Sequence, residues 1–323
     1  MKTKITTGIA ILATSLFLSC KTDDNGNDGI NPPTAAEFNA LREDVLDGIT
    51  QNFVVNADVG FQQFTSAKGV VLSINGACLT QNGLDVTGSV MIEYVEIFDK
   101  GTMLATNKPT MGLMPDGKKS MLITGGEFYV NATKNGQPVD INCNMQLTVP
   151  ASLTTGMPDD DMRLFNGTID DNGNLVWEED NGEGQQAVFG EGTSYYVNFG
   201  NFGWTNVDKF YSDPRPKTTI LVTVPAGFDA DNSAVYLSYD GEGTNALAQL
   251  DVYDEESGQF SEHYGQTPIG LACHVIFVSE QDGMFRYAVQ GVTIAEDDVI
   301  SITSGQTNLG TEAQLVAAIN AIQ

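Results

Sequence analysis

Along residues 54–303, apolar side chains recur at every second position in short runs, which is the periodicity of β-strands. Within one such run, Val90, Ile92 and Tyr94 alternate with more polar neighbours. The alternation is lost at Glu96, which indicates a bulge or a strand that passes from one sheet to another. Many short strands separated by glycine-rich turns predict an all-β fold.

Local turn signals place several of these strands in hairpins. Asn135-Gly136 lies between two alternating runs, and Asn-Gly is the strongest short-range hairpin signal. A second pair of runs flanks the loop that contains Asn172-Gly173. The run LACHVIFV (271–278) is apolar on both faces, so we expect it to be a central strand of a sheet.

Helical periodicity occurs near both ends of the chain. Residues 35–53 carry apolar side chains at intervals of three and four, and Thr34 and Glu37 have capping-box spacing. We expect this short N-terminal helix to pack on the next domain through a stripe formed by Phe38, Leu41, Val45, Leu46, Ile49 and Phe53. Near the other end, a short C-terminal helix is predicted with one apolar side formed by Leu315, Val316, Ile319 and Ile322.

Length and pattern together predict two β-sandwich-like domains in tandem, with a boundary near residue 200 in the stretch NFGNFGWTN. The two short helices lie before the first domain and after the second. The predicted segments are a lipoprotein signal peptide (1–19), a flexible acidic tether (20–34), the N-terminal helix (35–53), the first sandwich (54–200), the second all-β domain (201–303) and a C-terminal tail with its helix (304–323).

The first twenty residues, MKTKITTGIAILATSLFLSC, have the layout of a secretory signal. Lys2 and Lys4 form a positive segment, and the apolar run 9–18 is shorter than the roughly 20 residues that span a bilayer. The small residue before Cys20 resembles the cleavage site of bacterial lipoproteins, and this resemblance implies that Cys20 becomes an acylated N-terminus. The alternative is an ordinary secretory peptide that is cleaved elsewhere.

The tether KTDDNGNDGINPP contains few apolar residues and many turn formers, so we expect no packed structure there. Lys21 followed by Asp23 and Asp24 resembles the export signal of Bacteroidetes surface lipoproteins. The resemblance implies an outer-membrane lipoprotein that faces outward. A periplasm-facing anchor, with tether acids that serve solubility alone, is the alternative.

The segment from Gly69 to Pro150 carries a series of strand landmarks, from GVVLSINGACL through GLDVTGSVMIEYVEIFDKGTML and GGEFYVNATKNGQPV to a strand closing in LTVP. This series resembles the ZU5-like β-sandwich of Bacteroidetes lipoproteins. The resemblance implies a cell-surface or scaffold module, since such sandwiches are chiefly interaction domains. The His-Phe-Ser tripeptide at which some relatives cleave themselves does not occur in the sequence, so autoproteolysis is not implied.

The chain is strongly acidic, with 42 Asp and Glu against 15 Lys and Arg and a formal charge of −27. Such a field repels nucleic acid and anionic lipid. Binding of nucleic acid requires a basic patch, and the sequence contains none. We therefore expect no nucleic-acid partner.

The cysteine and histidine side chains are too few for a typical zinc centre. Apart from the lipidated cysteine there are Cys78, Cys143 and Cys273, which are compatible with one disulfide and a free thiol or with three buried thiols. The two histidines, His263 and His274, are also the whole supply for a catalytic triad, and no GxSxG motif is present. We therefore expect a protein that is not an enzyme. A pocket with two desolvated carboxylates and a bound ion would reverse this expectation.

A calcium site is the one cofactor that the sequence leaves open. The stretch DADNSAVYLSYD places Asp229, Asp231 and Asp240 at EF-hand-like positions. Ala234 replaces the glycine that an EF-hand loop requires, and VYLSY has the character of a strand. The alternatives are therefore a calcium site of another kind in these loops or a solvated acidic surface.

Aromatic residues cluster between residues 177 and 211. Exposed aromatic rings stack on sugars, so Trp177, Trp204 and Phe202 are candidates for a carbohydrate-binding platform. The same residues suit a buried core between the domains, because aromatic side chains dominate buried area, and this second interpretation is favoured.

The sequence thus predicts a lipid-anchored, non-catalytic protein of the outer membrane, exposed at the cell surface. Its expected partners are outer-membrane lipid, reached through the acylated Cys20, and a protein or glycan whose identity the sequence leaves open. Binding, adhesion or assembly at the surface is the main interpretation. The alternative is a glycan-binding lipoprotein that works with a polysaccharide uptake or degradation system.

Overall fold

Strands dominate the part of the chain that the computed structural model describes, which is residues 30–170, 173–182, 187–262 and 264–323. The all-β fold class predicted from the alternating pattern is confirmed. None of the described helices is long and apolar enough to cross a membrane. These helices are α1 (Ala35–Ile49), α2 (Lys100–Thr106) and α3 (Glu312–Asn320).

The strands are numbered along the chain. Those before residue 211 are β1 (Gln51–Asn56), β2 (Phe61–Thr65), β3 (Val71–Asn75), β4 (Leu79–Gln81), β5 (Leu84–Asp85), β6 (Ser89–Ile97), β7 (Met111–Leu113), β8 (Lys119–Lys134), β9 (Gln137–Pro138), β10 (Asp140–Ile141), β11 (Met145–Pro150), β12 (Arg163–Ile169), β13 (Leu175–Glu179), β14 (Val188–Glu191), β15 (Ser194–Phe199) and β16 (Gly203–Phe210). The later strands are β17 (Lys217–Thr218), β18 (Leu221–Thr223), β19 (Ser233–Tyr239), β20 (Ala248–Gln249), β21 (Val252–Asp254), β22 (Gln259–Ser261), β23 (Thr267–Pro268), β24 (Ala272–Gln281), β25 (Met284–Thr293), β26 (Val299–Ser301) and β27 (Asn308–Gly310).

The first half of the chain builds a β-sandwich. One sheet has the strand order β1-β6-β8-β16-β12-β13-β7, with β9 beside β8, and the facing sheet has the order β14-β15-β11-β3-β2. Successive side chains of a strand point to opposite faces, so every second one enters the space between the sheets. The core that forms there includes Leu72, Val90, Ile92, Phe128, Leu147 and Val197. A small separate sheet has the order β10-β4-β5.

Strand β8 is long enough to belong to two structures. Its second half lies in the sandwich, whereas its first residues pair with β7. Because β7 also pairs in parallel with β13, the strands β8, β16, β12, β13 and β7 close into a ring. Leu122, Phe165, Leu175 and Trp177 from these strands form a buried cluster. The indole Nε1 of Trp177 donates to the carbonyl oxygen of Pro109 at 3.0 Å.

The second half of the chain forms a five-stranded sheet, β20-β19-β24-β25-β27, a four-stranded sheet, β21-β22-β18-β26, and the pair β17-β23. Strand β24 lies between β19 and β25, so the central position predicted for LACHVIFV is confirmed. Both of its faces are buried, with Ile276 and Val278 in the core that contains the helices. On the opposite face, Phe277 packs edge-on against Phe228 at a centroid distance of 5.2 Å.

The three helices share one hydrophobic core with strands from both halves of the chain. This core includes Phe38, Val45, Val95, Ile97, Met103, Leu104, Tyr236, Ile276, Leu315 and Ile319. Residues 31–323 accordingly form a single compact unit.

Both predicted helices are present. Thr34 and Glu37 form the expected capping box, in which the Thr34 hydroxyl oxygen accepts from the Glu37 amide. Helix α1 ends at Ile49, however, and Phe53 lies in β1, where the β-branched pair that follows it favours a strand. Helix α2 was not predicted, because its seven residues are too few to show periodicity.

The first sheet extends beyond the predicted domain boundary near residue 200. Strand β16 pairs with β8 and with β12, so residues on both sides of that boundary share the first sandwich. The glycine-rich stretch around residue 200 therefore joins the two sheets of one sandwich.

Glu96 marks neither a bulge nor a change of sheet. Strand β6 continues past it in unbroken register with β8. Its side chain is buried because the carboxylate accepts hydrogen bonds from Ser66 Oγ, Gln51 Nε2, Tyr94 Oη and the Lys68 amide. A satisfied acid at an inward position thus interrupted the hydrophobic pattern without interrupting the strand.

The Asn-Gly hairpin is confirmed. Asn135 and Gly136 join β8 to β9 with φ values of 53° and 73°, the left-handed conformation that a two-residue hairpin loop of this type requires. The second predicted pair of strands also forms, as β12 and β13. Asn172 of its loop lies outside the described residues.

Candidate ligand-binding face

The five-stranded sheet of the first sandwich buries one face in the core and exposes the other. Buried and accessible positions alternate without a break along β3, β11 and β15. We call the exposed surface the outer face. Its side chains are Phe61, Gln63 and Thr65 from β2, Val71, Ser73 and Asn75 from β3, Gln146, Thr148 and Pro150 from β11, Ser194, Tyr196 and Asn198 from β15, and Phe189 and Glu191 from β14.

A row of hydrogen-bonding side chains crosses four strands of the outer face. Ser73 lies opposite Gln63 on one side and Gln146 on the other, and Gln146 lies opposite Asn198. Gln63 Nε2 donates to Ser73 Oγ, and Gln146 Nε2 donates to Asn198 Oδ1, both at 3.1 Å. We call these four residues the amide row. Because neighbouring strands lie about 4.8 Å apart, the row is about 14 Å across.

Aromatic rings flank the amide row on two sides. Phe189 and Tyr196, on neighbouring strands, stack with a centroid distance of 5.3 Å and an interplanar angle of 11°. Phe61, on the edge strand β2, is 74% exposed. On the Phe61 side of the amide row, a groove of about 610 Å³ is lined by Phe61, Gln63, Ser73, Asn144, Met145, Gln146 and Asn198.

The outer face is nearly free of charge. Glu191, on the edge strand β14, is the one acidic side chain among the outward positions of these five described strands, in a chain with 42 acids. Primary amides and hydroxyls both donate and accept hydrogen bonds, and aromatic rings offer flat apolar surface. This combination suits a ligand that has many hydroxyl groups, apolar patches and no charge.

The aromatic platform predicted from Trp177, Trp204 and Phe202 is wrong. Trp177 is 0% exposed and lies in the cluster of the closed ring of strands. Trp204 packs edge-on against Trp177 with 6.3 Å between the ring centroids, and Phe202 is half-buried against the sandwich core. These side chains pack in the interior, as the favoured interpretation expected, but inside the first sandwich and its ring rather than between two domains.

The three aspartates predicted for calcium do not converge. Asp229 accepts hydrogen bonds from the backbone amides of Asp231 and Asn232 in the turn before β19. Asp240 follows the far end of the same strand, where it contacts His274 Nδ1 at 2.8 Å. Seven residues of strand separate the two sites by about 23 Å, so one ion cannot bind all three carboxylates. The described part of the chain holds no group of three or more Asp, Glu, His or Cys side chains suited to a metal ion.

The lipidation and export residues, Cys20, Lys21, Asp23 and Asp24, lie outside the described residues.

Two buried acids lie on paired strands of the larger sheet of the first sandwich. Glu127 on β8 and Asp208 on β16 are both fully buried. Burial, reinforced by the Asp208 carboxyl, raises the pKa of Glu127 well above its usual range, and burial does the same to the pKa of Asp208. Asn206 Nδ2 donates to Asp208 Oδ2 at 2.6 Å, whereas neither carboxyl oxygen of Glu127 has a hydrogen-bond partner among the described residues. Burial thus favours the protonated, neutral form of both acids, and both are inaccessible to a substrate.

The cysteines follow one of the two predicted patterns. Cys78 and Cys143 form a disulfide between residues 65 positions apart, next to the small sheet β10-β4-β5. Cys273 is a buried free thiol, and burial raises its pKa to about 12. A thiol in this state is unreactive.

Comparison with protein-family models, with curated proteins and with solved structures gives no significant match.

Sequence reasoning missed the outer face, although a signal for it is present. In MQLTVP and SYYVNF the positions between the apolar residues carry amides, hydroxyls and a tyrosine in place of the charged residues that are frequent elsewhere in the chain. The pairing of these strands, which brings the polar positions together, is not visible in the sequence.

Proposed function

We propose that this chain is a lipid-anchored protein of the outer membrane, displayed at the cell surface, that binds uncharged carbohydrate on its outer face without catalysing a reaction. The observation that carries the proposal is the amide row with aromatic side chains on both sides of it. This surface is almost free of charge in a chain whose formal charge is −27.

A carbohydrate chain has the chemistry that this face would recognise. Each sugar hydroxyl donates and accepts hydrogen bonds, as do the side-chain amides of Gln63, Gln146 and Asn198. The apolar face of a sugar ring packs on an aromatic ring such as Tyr196, whose stacking on Phe189 holds it in place. The row extends about 14 Å across four strands, which favours an oligosaccharide over a single sugar.

The absence of catalysis is part of the proposal. Glu127 and Asp208, the two acids of the described chain with 0% exposure, line neither the groove beside the amide row nor the cavity of about 750 Å³ described below. General acid or base catalysis needs a group within hydrogen-bond reach of the substrate. Binding is therefore the better-supported role.

The N-terminal sequence and the disulfide support the proposed cellular location. We propose that Cys20 is acylated and embedded in outer-membrane lipid, and that Lys21, Asp23 and Asp24 direct the chain to the outer surface. Disulfides persist in oxidising compartments and are rare in the cytosol, so the Cys78–Cys143 bridge supports a location outside the cytoplasm. The ZU5-like resemblance stays a prediction, and it agrees with a binding module.

A lipid-anchored binder of this kind would serve a polysaccharide uptake or degradation system by holding the chain near a transporter or hydrolase. Adhesion through a protein ligand is the competing role. Exposed Phe61 on an edge strand favours it, because an edge strand can pair with another chain.

A glycan array tests the carbohydrate proposal. The body from residue 31, which forms one compact unit, is applied to neutral and to charged glycans, with and without calcium. We expect neutral oligosaccharides to bind irrespective of calcium. An array without a single neutral ligand would refute the proposal and leave the protein-adhesion role.

Location is tested separately. An alkyne-bearing fatty acid should label the wild-type chain in cells and should fail to label Cys20→Ser. Protease added to intact cells should release the body. Full protection of the body, with lysed cells as the control for digestibility, would contradict surface display.

A further inference from the structure

A second cavity has a volume of about 750 Å³, and none of its lining residues belongs to the groove on the outer face. It lies between helix α1, the turn after α2, the start of β19 and the β20–β21 segment, and we call it the helix cleft. Its volume is in the range of pockets that hold small molecules. None of the amide-row residues lines it.

Arg42 presents an incompletely paired guanidinium to the helix cleft. Its guanidinium lies 3.7 Å above the ring of Phe38, one helical turn earlier. Nη2 donates to Tyr236 Oη at 3.3 Å, and Tyr236 Oη donates to Asn107 Oδ1 at 2.5 Å. Nε is buried without a hydrogen-bond partner among the described residues. The guanidinium is thus held in one orientation, and its Nε–H donor has no acceptor among the described residues.

Lys108 enters the same cleft from the turn after α2. Its ammonium donates to the Thr106 carbonyl oxygen at 3.1 Å and lies 5.5 Å from the Trp204 ring centre. Burial, together with the nearby positive charge of Arg42, lowers the pKa of Lys108 to about 8. The group still carries most of its charge at neutral pH.

Neither cation has an acidic partner within ion-pair distance among the described residues. Lys119, Lys209 and Arg215 each contact an aspartate, whereas the buried Lys100 ammonium donates to Ser238 Oγ and to the carbonyl oxygens of Gly243 and Ile322. Acids that act on Lys108 from farther away are the buried Glu127 and the exposed Glu43.

Two like charges in a partly desolvated cleft repel each other, and a bound anion removes that cost. We infer that the helix cleft binds a small organic carboxylate, whose carboxylate group lies between the Arg42 guanidinium and the Lys108 ammonium. A carboxylate matches the planar donor edge of arginine and accepts from an ammonium at the same time.

The mouth of the helix cleft restricts the charge of this ligand. Glu43, Asp231 and Glu255 line the cleft as exposed acids. They repel molecules with several negative charges, so the ligand carries a single carboxylate. This inference is independent of carbohydrate binding on the outer face, because the two sites share no residue.

Three acids, each compared with its own primary amide, test the inference on the purified full chain. The pairs are propionate with propionamide, L-alanine with L-alaninamide, and glucuronate with glucuronamide, and they separate a simple acid, an amino acid and an acidic sugar as the source of the carboxylate. Thermal unfolding and calorimetric titration are measured for each. We expect at least one acid to bind and to raise the unfolding temperature, and its amide to do neither.

Variants assign the effect to the two cations. Arg42→Gln and Lys108→Gln should each weaken binding of that acid at least tenfold, whereas Lys118→Gln, at an exposed turn, should leave it unchanged. Without ligand, Lys108→Gln should keep or raise the unfolding temperature, while Lys119→Gln should lower it because Lys119 is paired with Asp251. The inference is overturned if no acid exceeds its amide, if Lys108→Gln retains the binding, or if Lys108→Gln lowers the unfolding temperature as far as Lys119→Gln.

Discussion

Gln146 and Asn198 lie directly opposite each other on β11 and β15, and Gln146 Nε2 donates to Asn198 Oδ1 at 3.1 Å. The bond fixes the orientation of both amides. It leaves the side-chain oxygen Oε1 of Gln146 and the side-chain nitrogen Nδ2 of Asn198 without a partner among the described residues. An acceptor and a donor therefore remain side by side for a ligand. Groups that are already ordered lose less entropy on binding, which is why this pair is well suited to a recognition surface.

The buried acid Glu127 should make the stability of the protein depend on pH. A carboxyl with a raised pKa in the folded state holds its proton longer than in the unfolded chain, so stability is fully present below the unfolded pKa of about 4.3 and declines as pH rises from there. Asp208, Lys108 and Asp99 act on this group. The glutamine of Glu127→Gln carries no charge at any pH, so this variant lacks the part of the stability loss that Glu127 causes as pH rises.

Urea unfolding at several pH values between 5 and 8 measures this effect. Glu127→Gln should gain stability over the wild type as pH rises, by at most about 1.4 kcal/mol per pH unit for one proton. The matched control is Glu96→Gln, whose carboxylate accepts four hydrogen bonds and which should therefore lose roughly 2–3 kcal/mol. A constant difference between Glu127→Gln and the wild type across the pH range would show that Glu127 has an ordinary pKa.

The Cys78–Cys143 disulfide should contribute substantially to stability. It closes a loop of 65 residues, and disulfides typically stabilise a fold by about 2–4 kcal/mol. The double variant Cys78→Ala, Cys143→Ala should lose that amount in chemical unfolding. Cys273→Ala, which removes the buried free thiol, is the control for altering a cysteine. Alkylation of the denatured, unreduced body from residue 31 should label Cys273 alone, and labelling of all three cysteines would contradict the bridge.

Gly101 should be required for the contact between α2 and α3. A β-carbon at this position would lie 2.7 Å from the carbonyl oxygen of Val316, which is backbone and cannot turn aside. Gly101→Ala should therefore lower the free energy of unfolding by roughly 1–3 kcal/mol. Gly48→Ala, in α1 with open space around it, should instead raise it by about 0.5–1 kcal/mol. Equal effects of the two substitutions on the urea midpoint would contradict this packing.

Features that depend on neighbouring residues were predictable from the sequence. The capping box at Thr34, the Asn135-Gly136 turn and the doubly apolar strand around Val275 are each set by local conformational preference or by periodicity. Helix α2 was not predicted because a helix of seven residues depends on its packing against α3 more than on its own sequence.

Features that depend on strand register were not predictable. The amide row joins Gln63, Ser73, Gln146 and Asn198, which come from distant parts of the sequence. Trp177 shows the opposite error, since its place in the aromatic cluster made it a candidate for an exposed platform, whereas the closure of the ring through β7 places it inside. Long-range pairing decides both outcomes, and a single sequence does not contain it.

The carbohydrate proposal makes a specific prediction about side chains on the outer face. Removing the stacked pair with Phe189→Ala, Tyr196→Ala should lower affinity for the neutral oligosaccharide found on the array at least tenfold, since burying an aromatic side chain contributes about 1.5–3 kcal/mol. Gln146→Ala should also weaken binding, because it removes a donor and an acceptor of the amide row. Leu84→Ala, a 73% exposed residue on another sheet, should leave the affinity unchanged.

The most direct test of the central claim is calorimetric titration of that oligosaccharide into the wild-type body and into Phe189→Ala, Tyr196→Ala, at low and at high salt. The account predicts binding by the wild type that is insensitive to salt, because neither partner contributes charge at the site, and loss of binding in the variant without loss of folding. Unchanged affinity in the correctly folded variant, or wild-type affinity that falls steeply with salt, would contradict it.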